Sequence, residues 1–175
     1  MKKLSQKGRS ILLSIHIIFA GWWMGAAVSM ILLNFLSGNI ISGDELFATN
    51  AAIKHIDDFI IIPAALGSLL TGFLICLLTR WGFFRHRWVT VKWIVTITAI
   101  LFGTFFLGPW VNGFVAISDT LRIDALADPI YVSSKNLNQI FGIAQTVIIL
   151  FLVFVSVIKP WRKKKAENKQ SQKLR

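Results

Sequence analysis

A chain of 175 residues that is 55% hydrophobic and only 15% charged, with a mean hydropathy of +0.65, is not an ordinary soluble domain, in which about a quarter of residues are charged. The net charge of +11 does not point to nucleic acid, because the Lys and Arg residues sit at the two ends and in one short loop, each flanking an apolar run. The length allows one all-α domain of about four membrane spans and no large extramembrane domain.

Residues 1–10 form a tail with four basic residues and no acid. Residues 11–36 are apolar apart from His16 and a few small polar groups. This run exceeds the roughly 7–15-residue core of a cleaved signal peptide, so it reads as a retained first span. Ser37, Gly38 and Asn39 mark its end. Residues 38–58 are a polar connection with Asp44, Glu45, Asp57 and Asp58. Gly43 and Asp44 read as a turn into a helix, so 45–54 is expected to extend the second span beyond the membrane. That span covers 59–78, with Pro63 expected to kink it modestly.

Gly21, Gly25 and Ser29 recur at four-residue spacing in the first span. Ala64, Ser68 and Gly72 do the same in the second. Small residues at this spacing let membrane helices approach closely, which predicts that the two spans pack through these ladders. Cys76, the single cysteine, reads as a packing residue.

Residues 79–87 are a basic loop with Trp81 and Trp88 as interfacial anchors. The third span covers 88–107. Residues 111–136 read as a polar loop, whose apolar part at 110–117 either continues the helix or lies in the interface. The fourth span covers 137–157, and Gln145 within it is expected to hydrogen-bond between helices. Residues 159–175, with eight basic residues and one acid, read as an unstructured tail. The N-terminal tail, the 79–87 loop and the C-terminal tail are all basic, which predicts a multi-pass protein of the cell membrane with both termini in the cytoplasm.

Ionisable groups within spans are costly and commonly face the bundle interior for a purpose. His16 lies roughly 8 Å into the first span and Lys92 roughly 6 Å into the third, at 1.5 Å per residue, both near the cytoplasmic side. At 100° per residue, His16 shares a stripe with Ala20, Trp23, Ala27 and Asn34, with the Gly21 ladder opposite. Lys92 shares one with Thr96, Ala99 and Gly103. If these stripes face each other they leave room for a flat apolar ligand above a polar pair. The plainer alternatives are a Lys92 that snorkels to the interface and a His16 that is simply hydrogen-bonded to a neighbouring helix. His55 lies on the opposite side of the membrane from His16. Beside Asp57 and Asp58 it reads as a solvated loop residue, or as an outer-surface divalent-ion ligand. No catalytic Ser–His–acid set, phosphate loop, zinc motif or Met-rich copper ladder is present.

Three stretches carry a family resemblance. SIHIIFAGWWMG (14–25), IIIPAALGSLLTG (60–72) and WVTVKW (88–93) resemble the first three spans of HemJ-type protoporphyrinogen oxidases and CopD-like membrane domains. The resemblance covers about the first 110 residues and rests on the order His, Pro, Lys. It departs from the HemJ type at GTFFLG (103–108), where that type carries a Tyr–His pair. The resemblance implies a four-helix membrane bundle linked to haem b, with His16 as axial metal ligand and Lys92 as contact to a porphyrin propionate or substrate. It implies as partners the lipid bilayer, a porphyrin or haem, and a redox partner or a second copy of the chain. Copper or small-solute transport is an alternative, for which the first span holds only His16, Met24 and Met30 as ligand candidates, a short set for copper. A non-catalytic membrane partner protein is another.

Overall fold

The structure is a computed structural model that describes residues 4–79, 82–84 and 86–159. The expectations placed on Lys2, Lys3, Arg80, Trp81, Arg85 and 160–175 lie outside those residues. Among the described residues the regular structure is entirely helical: α1 (Gln6–Leu36), α2 (Gly43–Ile56), α3 (Ile62–Leu78), α4 (Arg87–Phe102), α5 (Gly108–Leu121) and α6 (Pro129–Ile158). A π-turn at Asp57–Ile61 joins α2 to α3 and another at Gly103–Leu107 joins α4 to α5. Four continuous helices are therefore long and apolar enough to cross a bilayer: Gln6–Asn39, Gly43–Leu78, Arg87–Ala127 and Pro129–Ile158.

Local chemistry explains the helix ends. Ser5 caps α1 by accepting the Gly8 N–H. Asp44 and Glu45 occupy the first turn of α2 and Lys54 and His55 the last, the arrangement that complements a helix dipole. Asp128 Oδ1 accepts the N–H groups of Ile130 and Tyr131 at 2.9 and 2.8 Å, and Pro129 fills the first position of α6, where its missing N–H costs nothing.

The two π-turns share a cause. Each ends two residues before a proline, Pro63 or Pro109, whose ring would clash with the carbonyl four residues back in a regular helix. Widening the turn avoids the clash, and the Ile62 and Gly108 N–H groups reach back to the Asp57 and Gly103 carbonyls instead. The expected kink at Pro63 is thus taken up by a π-turn.

α1 lies between α3 and α6, and α4 packs on α6 and more loosely on α3. The Leu4 N–H donates to the Leu78 carbonyl at 3.1 Å, so the start of α1 meets the end of α3. The outer surface is an apolar belt, with Ile17 60%, Phe105 67% and Phe154 63% exposed. Such a surface is stable against acyl chains and not against water.

The helix of 36 residues and the one of 41 are roughly 54 and 62 Å long at 1.5 Å per residue, against a hydrocarbon layer of about 30 Å. The excess forms a helical cap at the end remote from the chain termini. Leu46, Ile53, Val111, Phe114, Ala125 and Tyr131 make its core and are almost wholly buried. Residues 111–136 are therefore not a loop. They are all of α5 beyond its first three residues, a 3₁₀ segment at Arg122–Ala127 and the first turns of α6.

The expected packing of two small-residue ladders is half corrected. Ala64 and Ser68 are buried, and an added Cβ at Gly72 would touch His16. Gly21, Gly25 and Ser29 are exposed, with nothing near an added Cβ at either glycine. α1 meets α3 through Phe19 and His16 instead, because the polar and bulky stripe needs the bundle interior more than the glycines do.

Candidate functional site

The two inward stripes read from the sequence do line the bundle interior. Trp23 and Asn34 are buried on α1 and Ala99 on α4, and Trp23, Ala27 and Gly103 border one cavity. Polar groups lie at two levels along this interior.

The first level is near the chain termini. His16 Nδ1 lies 2.9 Å from Thr71 Oγ1. The Thr71 hydroxyl donates to the Gly67 carbonyl at 2.6 Å, so it accepts from the imidazole. That assigns the proton to Nδ1 and leaves Nε2 with a lone pair. Lys92 donates to Ser156 Oγ on α6 at 2.6 Å, and Ser156 donates to the Leu152 carbonyl. Lys92 neither snorkels free nor bonds to His16. Trp93 Nε1 donates to the buried Cys76 Sγ at 3.2 Å. Phe73, Phe83 and Trp93 pack together and fill the looser seam between α3 and α4.

The second level is a cavity of about 60 Å³ in the half of the bundle nearer the cap. At about 10–15 Å³ per water it holds roughly four. Ligand pockets that enclose a small organic molecule run to about 300–1,000 Å³. Asp57 and Ile61 border it from one π-turn, Gly103 and Leu107 from the other, and Asn138, Gln139, Gly142, Gln145 and Thr146 from α6. π-turns occur often at functional sites because the widened turn displaces side chains and loosens a carbonyl. Here Asn138 Nδ2 donates to the Leu107 carbonyl at 3.3 Å. Gln139 Oε1 is buried with no partner among the described residues. The carboxylate of half-buried Asp57 has no hydrogen-bonding partner among the described residues either, Lys54 being bonded to Asp58 at 2.8 Å and Asn112 at 2.7 Å.

A third polar group lies in the cap. The Lys135 ammonium donates to Ser37 Oγ and, at 3.0 Å, to the Tyr131 hydroxyl, which also accepts from Asn50 Nδ2 at 3.1 Å. Lys135 is only 9% exposed and has no carboxylate beside it among the described residues.

His16 and Lys92 thus share a level, and His55 does not join them. It stacks on Phe59 at the far end. No group of three or more His, Cys, Asp or Glu side chains with metal-binding geometry occurs among the described residues. Met24 and Met30 lie roughly 12 and 21 Å along α1 from His16 at 1.5 Å per residue, too far apart for one copper ion. Sequence reading placed Asp57 in an outer connection beside His55 and did not single out Asn138, Gln139 and Thr146. The signal was present: 138, 139, 142, 145 and 146 form one helical stripe of polar and small residues within an apolar span. Comparison with protein-family models, curated proteins and solved structures gives no match.

Proposed function

We propose that the protein is a membrane carrier for a small polar or charged solute, with both termini in the cytoplasm. The observation that carries this reading is the cavity of about 60 Å³, lined by a carboxylate and four amide or hydroxyl side chains, within helices apolar enough to cross a bilayer. Uncompensated polar groups there cost several kcal/mol unless something binds them, by about the penalty for burying an unpaired polar atom. The His16–Thr71 and Lys92–Ser156 pairs supply a second polar level toward the termini, where a solute leaving the cavity would next meet hydrogen-bonding groups. The test is flux into proteoliposomes, followed with an internal pH dye and with radioactive sodium. Flux above empty vesicles is expected, and reduced flux in His16→Ala and Gln145→Leu. Vesicles as tight as protein-free ones under both gradients would remove the carrier reading.

One observation favours a second reading, the haem b or porphyrin site suggested by the HemJ and CopD resemblance. Thr71 orients the His16 ring and leaves Nε2 free, as histidines that ligate metals are generally held by an outer partner. Lys92 would meet a propionate. The cavity of about 60 Å³ is too small for a porphyrin, so this reading requires the helices to part. A Soret band near 400 nm in protein purified after expression with haem supplied, lost in His16→Ala, supports it. A colourless preparation rules it out.

A further inference from the structure

We propose that the cavity between the two π-turns is a binding site for a monovalent cation, with sodium as the ion to test. This rests on the carrier reading and names its solute. Four observations converge on the cavity. Its one charged lining group is the Asp57 carboxylate, so one positive charge is balanced and two are not. Hard cations prefer oxygen ligands, and the lining is rich in them. Gln139 Oε1 is a buried acceptor without a donor among the described residues. The Thr146 hydroxyl spends its proton on the Gly142 carbonyl at 2.8 Å, which leaves only lone pairs to offer.

The two π-turns also meet. A Cβ added to Gly108 would stand 3.9 Å from Asp57 Oδ2, so the carboxylate of one π-turn lies against the glycine that closes the other, whose Gly103 carbonyl is taken by the Gly108 N–H. A proline two residues beyond each turn fixes both distortions in the sequence, so the site is built by the chain and not by chance fraying. The electrostatics select the sign of the guest. The neighbouring ammonium, Lys54, is bonded to Asp58 and Asn112, and among the described residues none forms an ion pair with Asp57. A cavity of about 60 Å³ suits a small ion with a few waters and excludes an organic cation.

The experiment uses the full chain purified in detergent. Thermal unfolding is measured in sodium chloride and in choline chloride at equal ionic strength, and radioactive sodium binding is measured directly. Sodium is expected to raise the midpoint saturably and choline not at all, since a ligand bound only by the folded state stabilises it. Asp57→Asn should lose the shift and weaken sodium binding at least tenfold, while Asp58→Asn keeps both. Should Asp57→Asn fail to fold, Gln139→Leu and Thr146→Val take its place, each expected to weaken binding severalfold. Equal midpoints in sodium and choline overturn the proposal. So does an Asp57→Asn protein that binds sodium like the parent, or calcium binding that displaces sodium at far lower concentration. Sodium binding without flux in vesicles keeps this site and removes the carrier. Flux unchanged in Asp57→Asn keeps the carrier and removes the site.

Discussion

The contact that seats α1 on α3 also sets the His16 side chain, and it can be tested by adding one carbon. In Gly67→Ala the new Cβ would meet the Phe19 ring at 2.6 Å from Cδ1 and Cε1 and 2.8 Å from Cγ. Rotating the ring about χ2 moves Cδ1 and Cε1 but not Cγ, so Phe19 must change its χ1 rotamer or the helices must separate. Overpacking of this kind costs about 1–3 kcal/mol, and replacing Gly by Ala within a helix returns up to about 1 kcal/mol. The expected net loss is about 0–2 kcal/mol against the parent and about 1–3 kcal/mol against a Gly→Ala control that gains only the helix term, measured as a lower midpoint in thermal or SDS unfolding of the purified protein. Gly21→Ala and Gly25→Ala are the controls. Both glycines face open space on the same helix bundle, so these variants should be neutral or slightly stabilised. Phe19→Ala in the Gly67→Ala background should recover part of the loss, because it removes the obstacle. A Gly67→Ala protein as stable as Gly25→Ala would falsify this packing and with it the placement of His16 against Thr71, one turn farther along α3.

The cap offers three more tests of stability. Tyr131→Phe removes the oxygen that accepts from both Asn50 and Lys135, and should destabilise the protein by about 2–3 kcal/mol, the cost of stranding a buried amide and weakening a charged hydrogen bond. Lys135→Met should be near neutral or stabilising in the same denaturation assay, because it removes the buried charge while Tyr131 and Ser37 keep their other partners, and buried ions often cost what they return. Gly43→Ala would place a Cβ 2.6 Å from Arg122 Cβ and 2.9 Å from the Ile123 nitrogen. Neither atom can rotate away, so proteolysis at the cap should become faster by roughly tenfold for each 1.4 kcal/mol lost, the rate tracking the opened population.

What was legible in the sequence were the properties that a single helix carries by itself. Apolar runs of span length gave the four-helix bundle, and residue spacing gave the inward faces of α1 and α4, since both follow from a 3.6-residue repeat in a solvent that accepts no bare polar backbone. Asp57, Asp119 and Asp128 fall in stretches that read as polar connections because charge in a short window signals exposure, whereas Asp44 reads correctly as the turn into a helix. The roles of the other acids depend on position along helices that run past the bilayer: Asp119 pairs with Arg122 at 3.4 Å and Asp128 caps α6. Asp57 is the clearest case. Only the meeting of two proline-driven π-turns with the polar stripe of α6 turns that carboxylate from a surface charge into the wall of a cavity. Likewise the Gly21 ladder has the composition of a packing face, yet Phe19 and His16 took the seam. Which face of a helix is buried is settled by competition among all the neighbours at once, and one-dimensional spacing does not hold that information.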